Sequence, residues 1–179
     1  KNFKVIILAI DKKYRKLLIN NSEINKIIFS EPGKTRQQSS FNALKKLYKY
    51  KIKNVLIHDA ARPFCSNKLI KNILDKLDKK NNCIPYIEYN DRQINKSNKE
   101  DLDIINIQTP QGFKYDLIFK AHKKFNNEKF NDDASLIQKM NLKMYLIKGE
   151  KTNIKITYPE DLVYLKIFKK IKIKSGIGY

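Results

Sequence analysis

Asp59 and Arg62, in the stretch "VLIHDAARPF" (55–64), could do chemistry together, because they stand three residues apart directly after the apolar run Val55-Leu56-Ile57. A carboxylate can hold a divalent cation, and a guanidinium fork grips phosphate or carboxylate with two parallel bonds. Three other stretches offer groups of matching kind. "EPGKTRQQSS" (31–40) leads from one apolar run into a helical pattern, so its backbone amides and the Ser39 hydroxyl suit a phosphate or nucleobase. "QTPQGF" (108–113) offers the Thr109 hydroxyl and an amide on a rigid turn. "GEKTNIKITYPEDL" (149–162) offers Lys155 in an extended stretch just before a helix. An acid, an arginine, a lysine and two strand-to-helix turns point together to phosphate chemistry on an anionic ligand, with a divalent cation at Asp59.

Each group taken alone has a plainer reading. Asp59 and Arg62 could merely cap the next helix, and Asp132-Asp133 reads as a charge pair at a helix N-terminus. His58 reads as a structural residue at a strand end and His122 as a surface residue of a helix. Lys155 alone is one lysine among many.

The elements that must position these groups alternate between strand and helix. Short apolar runs at 4–10, 26–30, 53–58, 83–86 and 143–149 read as strands. Helices are predicted over about 11–18, from a Thr35 cap through Tyr48, over 66–79 behind Ser66 or Asn67, over 116–125, after Asp132-Asp133, and over 160–169 behind Pro159. Residues 88–108 alternate loosely and carry many charges, as an exposed two-stranded excursion would. This order predicts an α/β three-layer sandwich with a mostly parallel, Rossmann-like sheet. Ligands of such sheets bind beyond the carboxyl ends of the strands, where Asp59 and Arg62 fall.

At 179 residues the chain is long enough for one domain with a substantial core, and its 41% hydrophobic content, ten Tyr and nine Phe support one. The net charge of +20 invites a nucleic-acid reading. The lysines, however, are scattered along the whole chain among Asn and Ile, as compositional drift would leave them, and no basic-aromatic stacking motif accompanies them. Weak, non-specific polyanion binding follows either way, and no specific nucleic-acid partner is expected. Arginine is kept at four positions only, 15, 36, 62 and 92, where its fork geometry has something to do that lysine cannot. Cys65 and Cys83 have no metal-ligand spacing and, with no signal peptide in view, fit free thiols in a reducing cytoplasm. The apolar runs are too short for a membrane span.

"GKTRQQSSFNAL", "HDAARPF", "TPQGF", "NDDASLI" and "GEKTNIKITYPEDL", in this order and spacing over residues 3 to 168, resemble 2-C-methyl-D-erythritol 4-phosphate cytidylyltransferases. The resemblance implies a fold of the nucleotide-diphospho-sugar transferase type with a β-arm at about 86–108, through which two subunits interlock as a homodimer. It implies transfer of a cytidylyl group from CTP to methylerythritol phosphate, with Mg²⁺ or another divalent cation bridging the phosphates. Carried over by position, Gly33, Arg36, Ser39 and Asp59 belong to the nucleotide side, and Asp59 to the metal. Arg62, Asp91, Thr109, Asn131 and Lys155 belong to the acceptor, with Asp59, Arg62 and Lys155 taken as catalytic. Ribitol 5-phosphate cytidylyltransferases share much of the pattern and are the nearest alternative; a nucleotide-binding or dimerising domain with impaired catalysis is another.

The chain departs from the family in places. Its opening "KVIILAIDKKYRKLL" matches the family's later strand before "GKTR", so the glycine-rich loop that cradles the triphosphate is not among these residues, and the polypeptide as written is expected to bind CTP poorly and turn over slowly or not at all. Arg92 stands where the family has Thr, Asp101 where the arm has its arginine, and Asn131 where a threonine precedes the acidic pair. "IKIKSGIGY" (171–179) has a strand pattern similar to the opening of methylerythritol cyclodiphosphate synthases, so residues 1–170 are expected as the cytidylyltransferase domain and 171–179 as a linker or the start of a following domain of a bifunctional fusion.

Overall fold

The computed structural model describes residues 3–19, 27–88 and 105–175. Strand β1 (Ile6–Ala9) pairs in parallel with β2 (Ile27–Ser30), and α1 (Lys12–Ile19) lies between them in the chain. Helix α2 (Arg36–Leu47) follows, capped by the Thr35 side chain, which accepts from the Gln38 amide. Then come β3 (Asn54–Ile57) and α3 (Asn67–Lys79), the latter capped by Ser66 on the Leu69 amide. Strands β4 (Asn82–Ile87), β5 (Asn106–Ile107) and β6 (Gln111–Lys114) lead to α4 (Tyr115–Lys124) and α5 (Ala134–Lys139), then β7 (Leu146–Lys148). A 3-10 turn at Pro159–Asp161 opens α6 (Leu162–Ser175). The starts of α2 and α3 carry the residues their caps demand, which is why the sequence placed them well.

The larger sheet runs β3-β6-β4-β5, with β7 also on β4. Tyr86 pairs with both Ile107 and Lys148, so β5 and β7 flank β4 on opposite edges. Chain 106–114 therefore follows one edge of β4 antiparallel, broken at 108–110, while β7 follows the other edge in parallel. The α/β architecture is the expected one. The antiparallel insertion of β6 between β3 and β4 was not foreseen; "QGF" is a strand, where the sequence suggested only a turn. β5 and β6 both run antiparallel to β4, and the antiparallel ladder results.

Alternation along the strands sends side chains to two cores. Val55, Ile57, Ile84 and Phe113 face a cluster with α2, α4 and α5, including Leu44, Ile118, Leu136 and Ile137. Leu56 and Cys83 face Leu69, Ile73 and Leu77 of α3. Helices thus cover both faces of the sheet, giving the three layers. Gly112 lets α3 come close: a Cβ there would sit 2.5 Å from Ile73 Cγ2 and 2.9 Å from Leu77 Cδ1.

Two sequence expectations are corrected. His122 is no surface residue but fully buried on α4, because it lies four residues beyond Ile118 and seven beyond Tyr115 on the helix's inner face. Residues 171–175, read as a strand pattern, continue α6, since the chain leaves the 3-10 turn as an uninterrupted helix. Among the described residues no helix is long and apolar enough to cross a membrane. Asp91, Arg92 and Asp101, and most of the arm, lie outside the described residues.

Candidate active site

Three loops converge where β3, β5 and β7 end: 58–62 after β3, 108–110 between β5 and β6, and 149–157 after β7. One backbone bond locks the first loop to the third, Ile156 N–H donating to the Ala61 carbonyl at 2.8 Å, and another ties the third to β4, Gly149 N–H donating to the Tyr86 carbonyl at 2.7 Å. Buried Gln108 and Asn153 complete the clamp. Gln108 Nε2 donates to the carbonyls of Glu150 (2.9 Å) and Asn153 (3.2 Å), and Asn153 Nδ2 donates to the Thr109 carbonyl (2.8 Å). Neither residue stood out in the sequence; only their burial among strand-end loops reveals them.

Asp59 sits at the rim of this junction, its side chain 15% exposed. Arg36 Nε reaches Oδ1 at 2.9 Å, and Lys155 Nζ reaches Oδ2 at 3.1 Å. Burial alone would raise the Asp59 pKa, but the Arg36 and Lys155 charges outweigh it and hold the carboxyl below its ordinary value. The two cations differ in their freedom. Lys155 is 45% exposed, and such pairs contribute about 0–1 kcal/mol, so it can exchange Asp59 for another anion. Arg36 is held at its far side too, where Nη1 meets Asp133 Oδ2 at 2.6 Å. Burial alone would weaken the Arg36 charge; Asp133 and Asp59 together raise its pKa above the ordinary value instead.

Beneath Asp59 a short chain of hydrogen bonds fixes the loop. The Asp59 amide donates to Thr109 Oγ1 at 3.0 Å, Thr109 Oγ1 lies 3.1 Å from His58 Nδ1, and His58 Nε2 donates to the Arg62 carbonyl at 3.0 Å. In the neutral imidazole Nε2–H serves the carbonyl and Nδ1 is left to accept the threonine proton. Desolvation lowers the His58 pKa, with the Arg62 charge adding to it and the Arg62 carbonyl and Asp59 opposing. Arg62 itself donates from Nη1 to the Asn153 carbonyl at 2.8 Å.

The predicted site residues therefore divide. Asp59, Arg62, Thr109, Lys155 and Arg36 come together, though Arg36 faces two carboxylates and Thr109 holds the Asp59 peptide. Gly33 and Ser39 engage each other: the Gly33 amide donates to Ser39 Oγ at 2.9 Å, and Ser39 Oγ donates to the Thr35 carbonyl at 2.9 Å. A Cβ at Gly33 would lie 2.4 Å from Gln38 Cβ, so this turn requires glycine. Asn131 is exposed, just before Asp132, whose Oδ1 accepts from the Ser135 amide (2.8 Å) and hydroxyl (2.7 Å) to cap α5. Asp91 lies outside the described residues. Among the described residues no three His, Cys, Asp or Glu side chains gather as metal ligands. Asp59 is a lone carboxylate at the rim, a donor suited to a cation that keeps most of its other ligands as water and substrate phosphate.

Comparison with known proteins identifies the family of the chain. The family model of 2-C-methyl-D-erythritol 4-phosphate cytidylyltransferase matches residues 1–169. A bifunctional enzyme IspD/IspF of Pelagibacter ubique is 39% identical over 99% of this chain and 47% of its own length. A 2-C-methyl-D-erythritol 4-phosphate cytidylyltransferase of Clostridium beijerinckii is 38% identical over 77% of this chain and 64% of its own length. The chain thus spans less than two thirds of both relatives. The crystal structure of 4-diphosphocytidyl-2C-methyl-D-erythritol synthase from Anaerococcus prevotii superposes with a TM-score of 0.82 at 30% identity, covering 93% of this chain and 78% of that one. Motif order, sheet and family match coincide over nearly the whole length, and the chain belongs to the 2-C-methyl-D-erythritol 4-phosphate cytidylyltransferase family.

Proposed function

We propose that the protein to which this chain belongs transfers a cytidylyl group from CTP to 2-C-methyl-D-erythritol 4-phosphate and releases pyrophosphate, in isoprenoid precursor biosynthesis. The observation that carries this reading is Asp59 at the rim, with one oxygen fixed by Arg36 and the other on the exchangeable Lys155. An oxygen of the acceptor's phosphate forms a new bond to the α-phosphorus of CTP, and the bond from that phosphorus to the bridging oxygen of pyrophosphate breaks. Such a transfer needs placement and charge neutralisation more than covalent participation by the protein.

The residues divide that work. Lys155 leaves Asp59 for a phosphate oxygen and balances charge there. Arg62, tied to the Asn153 carbonyl, carries its charge on the same turn and orients the acceptor. Thr109 acts from beneath by holding the Asp59 peptide, and Gly33 with Ser39 shapes the loop on the cytidine side. Mg²⁺ would be held by Asp59 with the nucleotide's phosphates and would neutralise charge on them. Asn131 and Asp91 lie on the acceptor side of this reading. Two copies associate as a homodimer through the arm at 86–108, and the enzyme works in the cytoplasm.

The test is pyrophosphate release by protein from the complete reading frame, given CTP, Mg²⁺ and either methylerythritol phosphate or ribitol 5-phosphate. Release with methylerythritol phosphate alone is expected. Release with ribitol 5-phosphate alone would transfer the protein to the neighbouring activity.

A further inference from the structure

Asp133 is fully buried, yet both its oxygens are used and neither caps a helix. Oδ1 accepts from His122 Nε2 at 2.8 Å, and Oδ2 from Arg36 Nη1 at 2.6 Å. The cap of α5 is supplied by its neighbour Asp132. A carboxylate is costly to bury, and a buried ion pair is weak evidence of a stabilising role. What the pair does instead follows from the shape of arginine. The guanidinium is planar and rigid, so fixing Nη1 fixes the direction of Nε, which points at Asp59 Oδ1, 2.9 Å away. His122 is itself fixed, its ring stacked on Phe41 at 5.6 Å and 12°. Helices α2, α4 and α5 thereby set the orientation of one rim carboxylate after β3, while that carboxylate's other oxygen stays with the exposed Lys155.

We infer that Asp133 is a positioning residue for the transfer reaction: acting through Arg36 it fixes the Asp59 carboxylate, with His122 holding Asp133 in register. The role assigned to Arg36 is accordingly that of a bridge between two acids rather than a nucleotide ligand. The kinetic arm of the test rests on the proposed cytidylyl transfer; the spectroscopic arm does not.

Asp133→Asn, Arg36→Lys and the double variant are made in the complete protein and assayed with CTP, Mg²⁺ and methylerythritol phosphate. Each single variant is expected to lower kcat by about 10–100-fold, the scale of a misplaced catalytic group, with the KM for CTP within about twofold. The double variant is expected to be no worse than the poorer single one, because both cut the same link. In parallel, nitrogen-15 NMR follows the Arg36 Nε–H, assigned by its loss in Arg36→Lys. It is expected to exchange slowly with solvent in the parent and quickly in Asp133→Asn. Parent-like kcat in Asp133→Asn, additive losses in the double variant, or an Nε–H that stays protected without Asp133 would each overturn the inference. Should Asp133→Asn not fold, Arg36→Lys decides alone: a raised KM for CTP with preserved kcat would make Arg36 a nucleotide contact. Should the parent release no pyrophosphate, the functional reading falls and Nε–H exchange still decides the link.

Discussion

Asn153→Ala removes from beneath the candidate site an amide whose Nδ2 bonds the Thr109 carbonyl at 2.8 Å and, at the limit of 3.5 Å, Gln108 Oε1, and its consequence can be worked out. The Asn153 side chain is wholly buried, and its Nδ2 donates to the carbonyl of Thr109, which is only 4% exposed. The backbone carbonyl of Asn153, which accepts from Arg62 and Gln108, is untouched by the substitution. What the variant loses is a single donor, leaving the Thr109 carbonyl buried and short of a partner, at a cost of about 2 kcal/mol. For a domain of this size that corresponds to a Tm lower by about 4–8 °C. Because Thr109 carries the Asp59 amide and Lys155 stands two residues from Asn153, kcat should fall together with stability. Calorimetry of the parent, Asn153→Ala and the control Thr152→Ala, which changes an exposed neighbour, measures the first effect; pyrophosphate release measures the second. A Tm within about 1 °C of the parent, with unchanged kcat, would refute the clamp assigned to Asn153.

Acidification should weaken the fold through His58, whose pKa lies below its ordinary 6.5 in the folded protein. The unfolded chain then binds the proton first, so this contribution is complete above about pH 6.5 and is lost as the pH falls through the folded value. A Tm series across that window should be flatter for His58→Gln than for the parent; identical slopes would exclude the role. Gly112→Ala should destabilise by about 1–3 kcal/mol through overpacking against Ile73 and Leu77, read as a lower denaturant midpoint with unchanged slope. Both thiols should resist alkylation at neutral pH, since burial pushes Cys65 to about 11 and Cys83 to about 12. Mass spectrometry should find them modified only after denaturation.

The sequence was most informative where local rules govern. Thr35 and Ser66 announce helix starts, the Val55-Leu56-Ile57 run announces a strand, and the strand-to-helix order carries Asp59 to the edge where the strands end. Long-range pairing was not legible: nothing in "QGF" says whether it turns or joins β3 and β4, because its ladder partners lie tens of residues away in the chain. His122 was misread although helical spacing from Ile118 and Tyr115 carried the signal of burial. Arg36 was recognised as special for its rarity, but its two acids lie 23 and 97 residues away, and only the fold brings them together. Asn153 and Gln108 left no mark, since a buried amide has no characteristic spacing.

The central claim is tested most directly by following the α-phosphorus itself. Complete protein is incubated with CTP labelled at that position, Mg²⁺ and methylerythritol phosphate, and the products are separated. The predicted result is label in a cytidine diphosphate-linked methylerythritol, formed only when the acceptor is present and lost in Asp59→Ala. Label that stays in CTP, or emerges only as cytidine monophosphate whatever the acceptor, would contradict it.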